Sequence, residues 1–115
     1  MPAPELSITQ QDTPAGVIIV LAGEADVLNS GRLVEALMQR LPAGVTRLVV
    51  DVARLAYMDS MAMRALVMAA RVLKQRGGRL TLLQPSSTVQ KMLMITGADQ
   101  YMTVQETAGP GASPA

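Results

Sequence analysis

Residues 47–78, RLVVDVARLAYMDSMAMRALVMAARVLKQRGG, decide the fold. Leu48-Val49-Val50-Asp51-Val52 is apolar and β-branched, which predicts a strand from Arg47 to Val52. From Met61 to Arg76 the apolar residues return at helical spacing, and Gly77-Gly78 ends the run. Between the two lies Met58-Asp59-Ser60, a carboxylate and a small hydroxyl side by side at a strand-to-helix turn. Such a turn lies at the surface and presents backbone N–H groups. Ser and Asp are both preferred helix caps, and the same N–H groups also suit a phosphate. The residues alone favour a simple cap at Ser60 over a regulatory site.

At about 100° per residue, Ala62, Leu66, Ala69, Ala70 and Leu73 share one face of the predicted helix. The small Ala residues among them let it lie close to a sheet. The opposite face collects Arg64, Arg71 and Gln75, and also Met61, Met68 and Val72. These three apolar residues have no place in the domain's own core. They are scattered surface hydrophobes or a docking face, and Met and Arg are both enriched at interfaces.

Working outward, Leu6-Ser7-Ile8-Thr9 alternates as an edge strand, and residues 11–16 form a breaker-rich turn. Val17 to Ala22 is a buried strand paired with the first as a hairpin. Gly23-Glu24-Ala25-Asp26 ends it on a loop, and Asn29 or Ser30 caps a helix to about Leu41. That helix carries Leu33, Leu37 and Leu41 inward, with Val34 and Met38 flanking, and Pro42-Ala43-Gly44 stops it. Leu80 to Leu83 is the fourth strand. A third helix opens at Pro85-Ser86-Ser87, capped by Ser87 with Gln90 or by Ser86, with Val89, Met92, Leu93 and Thr96 inward and Gly97 at its end. Tyr101 to Val104 is a short last strand. The order β-β-α-β-α-β-α-β implies an α/β domain with a mixed, mostly parallel sheet of about five strands and right-handed crossovers. Residues 1–4 read as a flexible N-terminus, 5–107 as the single domain, and 108–115 as a disordered Gly/Pro/Ala/Ser-rich tail.

The 115 residues fit one core, and half of them are hydrophobic. The chain has no Cys, His, Trp or Phe. Disulfides, thiolate metal sites and the usual general base are therefore excluded, and with Tyr57 and Tyr101 as the only aromatic residues the sequence argues against a base-stacking platform. A net charge of +1 gives no electrostatic footprint for nucleic acid or an acidic membrane. No apolar run reaches membrane-span length and the N-terminus does not read as a signal peptide, so the expected location is cytoplasmic.

Few side chains offer chemistry. Ser60 has no His to activate it, and Lys74 belongs at the far end of the helix. Glu24 and Asp26 form a carboxylate pair, but two carboxylates fall short of a cation's ligand count. They are more simply solvated, or favourable to the helix N-terminus that follows. Arg76-Gly77-Gly78-Arg79 follows a helix and precedes a strand, the reverse of a phosphate loop.

The order of elements and four segments resemble the STAS domains, most closely the bacterial anti-sigma factor antagonists, over about residues 5–107. The segments are Gly23-Glu24-Ala25-Asp26, Leu48 to Val52 leading to Tyr57-Met58-Asp59-Ser60, Lys74-Gln75-Arg76-Gly77-Gly78, and Ile95-Thr96-Gly97. The resemblance implies a non-enzymatic binding protein with no cofactor or metal of its own. Ser60 would be phosphorylated by the partner anti-sigma factor, a serine kinase that supplies the ATP, and restored by a phosphatase. The unphosphorylated form would hold the anti-sigma factor and free the sigma factor. Asp59 would shape the turn, Glu24 and Asp26 would line its rim, and Met61, Arg64 and Met68 would touch the partner. The family usually follows this Ser with Ser or Thr, then Gly and Leu, where this chain has Met61, Ala62 and Met63; Arg64 stands where Gly is frequent. The alternative is a STAS module that is never phosphorylated, a structural subunit of a signalling or lipid-transport complex, with Ser60 only a cap. A homodimer would be another way to cover the exposed apolar face. A small enzyme is the remaining alternative, disfavoured by the missing His and Cys.

Overall fold

The structure is a computed structural model that describes residues 5–38 and 43–106. Its strands are β1 (Ser7–Thr13), β2 (Gly16–Ala25), β3 (Arg47–Met58), β4 (Arg79–Leu83) and β5 (Thr103–Gln105). Its helices are α1 (Ser30–Met38), α2 (Ser60–Gln75) and α3 (Ser87–Thr96), followed by a short 3-10 turn, Ala98–Gln100. The expected end of α1 at Leu41-Pro42, residues 1–4 and the 108–115 tail lie outside the described residues.

The sheet runs β1-β2-β3-β4-β5 in space. β1 is antiparallel to β2, and the other pairs are parallel. Each parallel crossover steps the same way across the sheet, so the right-handed rule sends all three helices to one face. Burial agrees. Val17, Ile19, Leu21, Leu48, Val50, Val52, Leu80 and Leu82 alternate into a single core with Leu33, Leu37, Leu66, Leu73, Val89 and Leu93 from the helices. Ile18, Val20 and Val49 alternate to the other face and stay half-buried, outside that core.

α2 lies as its periodicity predicts. Ala62, Leu66, Ala69, Ala70 and Leu73 are all buried, joined by Met63 and Ala65. Arg64 and Arg71 are exposed, and so are Met61, Met68 and Val72.

Several boundaries differ from expectation. The first hairpin is tighter, because β1 continues to Thr13 and β2 begins at Gly16. β3 is twice the predicted strand. Beyond Asp51 its buried residues are Val52, Leu55 and Met58, three apart, because two register shifts interrupt its pairing with β2. A bulge breaks the period of two, and with it the sequence signal of a strand. α3 is capped by Ser86, whose Oγ accepts the Val89 N–H at 3.2 Å, while Gln90 Nε2 donates to the Pro85 carbonyl. Thr96 is exposed rather than inward; its hydroxyl donates to the Met92 carbonyl at 2.7 Å. The expected last strand begins two residues late, since the 3-10 turn extends to Gln100.

Candidate functional site

β2 and β3 extend past the rest of the sheet. β4 pairs with β3 only as far as Asp51, whereas β2 and β3 continue together to Ala25 and Met58. The Asp59 N–H then donates to the Ala25 carbonyl at 2.7 Å. This places the β2–α1 turn and the start of α2 side by side at the end of a two-stranded arm.

Asp59 is the N-cap of α2, with extended backbone at φ −84° and ψ 178°. Its Oδ1 accepts the Ala62 N–H at 2.8 Å, and its carbonyl accepts the Met63 N–H at 3.0 Å. Its Oδ2 accepts the hydroxyl of Ser30 at 3.2 Å. Ser30 is fully buried, so this carboxylate satisfies a hydroxyl that water does not reach. Neither Ser30 nor Asn29 caps α1 with its side chain: Ser30 donates to Asp59, and Asn29 is held by Glu24 and Asp26.

The cap role is therefore taken, and Ser60 is the first helical residue and exposed. Among the described residues its hydroxyl has no hydrogen-bond partner. The N–H groups of Ser60 and Met61 belong to the first turn, where the helix itself offers no acceptor. The expectation that Ser60 is only a cap is corrected by this geometry. Ser60→Ala is accordingly expected to change unfolding free energy by no more than about 0.5 kcal/mol, as at other exposed positions. A urea titration beside the unaltered protein measures it.

The β2–α1 turn is locked by its own side chains. Asp26 Oδ1 accepts the Leu28 N–H at 3.0 Å, Asn29 Oδ1 accepts the Asp26 N–H at 2.9 Å, and Asn29 Nδ2 donates to the Glu24 carbonyl at 2.9 Å. The turn lifts Val27 and Leu28 into solvent, 77% and 91% exposed. Sequence reasoning passed over both. Their signal was available: two apolar residues between the turn formers Asp26 and Asn29, outside any periodic stripe.

Glu24 and Asp26 are not the loop pair expected. Glu24 lies within β2, in register with Tyr57, and only Asp26 is in the turn. Among the described residues no group of three or more His, Cys, Asp or Glu is placed to hold a metal ion. Met61 and Met68, each 49% exposed, continue along the outer side of α2 with Arg64 between them. The site is thus an exposed serine bordered by carboxylates and by apolar side chains from two elements.

A family model described as Mlab, STAS domain, matches residues 8–105, and the chain belongs to the STAS domain family. Among solved structures, an anti-sigma factor antagonist from Mycobacterium paratuberculosis superposes with a TM-score of 0.79 at 16% identity, covering 90% of this chain and 87% of the other. The anti-sigma factor antagonist SpoIIAA in its unphosphorylated form gives a TM-score of 0.67 at 27% identity, covering 85% and 87%. The Bacillus cell fate determinant SpoIIAA in the phosphorylated form gives 0.60 at 27% identity, covering 87% and 90%. A search of the curated proteins gives no match. Among the described residues no helix is long and apolar enough to cross a membrane.

Proposed function

We propose that this STAS domain is an anti-sigma factor antagonist of the cytoplasm, switched by phosphorylation of Ser60. Unmodified, it binds an anti-sigma factor that is also a serine kinase, and so frees the sigma factor for transcription. Phosphorylated, it lets go, and a phosphatase restores it. One observation carries the reading: Asp59 takes the cap, leaving the Ser60 hydroxyl exposed and unbonded at the first position of α2. The 27% likeness to SpoIIAA, known in unphosphorylated and phosphorylated forms, supports it.

The physics fits a switch that blocks docking without refolding. Phosphate adds about −1.5 to −2 charges at pH 7, which the first turn of α2 tolerates within the free domain. A partner packed over Met61, Met68, Val27 and Leu28 has to bury those charges. A buried charge without a partner costs several kcal/mol, roughly a hundredfold or more in affinity. Arg64, four residues on, is within helical reach of the phosphate and softens the effect.

The test is incubation with the cognate kinase and ATP, followed by mass spectrometry, with partner affinity measured in parallel. Modification is expected at Ser60. Ser60→Asp, which carries one charge rather than two, is expected to weaken the partner by about tenfold. Modification elsewhere, or unchanged binding by Ser60→Asp, would count against the switch. Met61 favours a second reading, a STAS interaction module that is never phosphorylated, because it puts a half-exposed thioether beside the target hydroxyl. A partner that binds through Met61 and Met68 with no modification of Ser60 is its signature.

A further inference from the structure

The near-neutral composition hides an uneven placement of charge. α2 and α3 both run back to the edge of the sheet where β3 and β4 begin. Residues 71–79 bring Arg71, Lys74, Arg76 and Arg79 there without one carboxylate. Arg47 joins them, because it is the register partner of Arg79 on the neighbouring strand. Like charges directly opposite lower stability. The backbone nevertheless locks them together: the Arg79 N–H donates to the Thr46 carbonyl at 2.8 Å and Arg76 Nη1 to the Val45 carbonyl at 3.3 Å. Among the described residues Arg47, Lys74 and Arg79 have no carboxylate at ion-pair distance. Among the described residues, Asp12 lines a groove with Arg47, and Asp99 is beside Gln100.

The same end exposes apolar side chains. Met94 and Ile95, in the last turn of α3, are 70% and 84% exposed. Tyr101 follows, with the Arg71 guanidinium 6.0 Å from its ring centroid. Tyr101 and Gln100 line an open groove of about 290 Å³ with Lys74 and Arg79.

We propose that this end of the domain docks on an anionic lipid surface. The unpaired cations meet the headgroup charges, Ile95 and Met94 enter the boundary with the acyl chains, and Tyr101 sits at headgroup level. An acidic protein surface with no apolar patch of its own would answer the cations but leave Ile95 and Met94 in water. Each cation near such a surface contributes about fivefold in partitioning, so the association is reversible and weakens steeply with salt. It does not depend on the reading of Ser60.

The test is co-sedimentation of the full chain with phosphatidylcholine vesicles, with and without phosphatidylserine, at low and high salt. Binding is expected only to the phosphatidylserine vesicles and only at low salt. Arg47→Glu/Arg79→Glu is expected to lower partitioning at least tenfold, and Met94→Ser/Ile95→Ser to lower it severalfold. Arg54→Glu, an exposed cation elsewhere in β3, is expected to change it little. Circular dichroism of each variant separates lost docking from lost folding. Absence of binding by the folded parent, equal binding to neutral vesicles, or full binding by the folded double arginine variant overturns the proposal. Binding to soluble polyglutamate without binding to vesicles also overturns it, in favour of an acidic protein.

Discussion

Asp59→Ala is expected to lower unfolding free energy by about 2–5 kcal/mol, combining a lost cap of about 1–2 kcal/mol with a stranded buried hydroxyl of about 1–3 kcal/mol. The cap term comes from Oδ1, which holds the Ala62 N–H; the second comes from Oδ2, which holds the buried Ser30 hydroxyl. In a domain of this size the loss corresponds to roughly 10–20 °C in melting temperature. Ser30→Ala removes the donor together with its need for an acceptor, so Ser30→Ala/Asp59→Ala should cost less than the sum of the two single changes. Thermal unfolding of the three variants beside Ser60→Ala measures the cycle. If Asp59→Ala proves as mild as Ser60→Ala, the cap assignment is wrong.

Gly23→Ala is the second large effect, at least about 3 kcal/mol of destabilisation. Gly23 stands at φ +94°, where L side chains are strained, and a β-carbon built there would overlap the carbonyl of Glu5. Backbone lies on both sides, so no rotamer change relieves the clash. The residue sits where the β2–β3 register slips, between Gly23 and Glu24. The same slip sets the course of the arm that carries Asp59 and the β2–α1 turn. Gly31→Ala is the control: it lies in α1 with open space around it, and is expected to stabilise by about 0.5 kcal/mol. Urea midpoints rank the three proteins, and a Gly23→Ala chain that unfolds with the parent would sink the argument.

The fold was legible where hydrophobic period and local chemistry agree. α2 showed both its buried and its exposed faces in advance, because 16 residues give the helical period room to repeat. The outer half of β3 was not legible. Ala53, Arg54, Ala56 and Tyr57 are exposed, and the bulges replace alternation with a spacing of three. Thr96 was misplaced for a related reason, since its hydroxyl bonds back to α3 and holds the last turn without needing burial. At the site, the adjacent Asp59 and Ser60 are both good caps by residue type. Only the folded structure shows the Asp59 carboxylate bonded to Ala62 and to Ser30, a residue 29 positions earlier. The exposed pair Val27 and Leu28 was invisible to period arguments because it belongs to no helix or strand.

The length of α2 has a further consequence. Ser60 and Lys74 lie near the two ends of its 16 residues, about 21 Å apart at 1.5 Å per residue. Mobile ions screen exposed charges beyond about 8 Å at physiological ionic strength. A charge added at one tip of the helix is therefore invisible, electrostatically, at the other. α2 behaves as an insulating spacer, and the two ends of the domain can be occupied or modified independently.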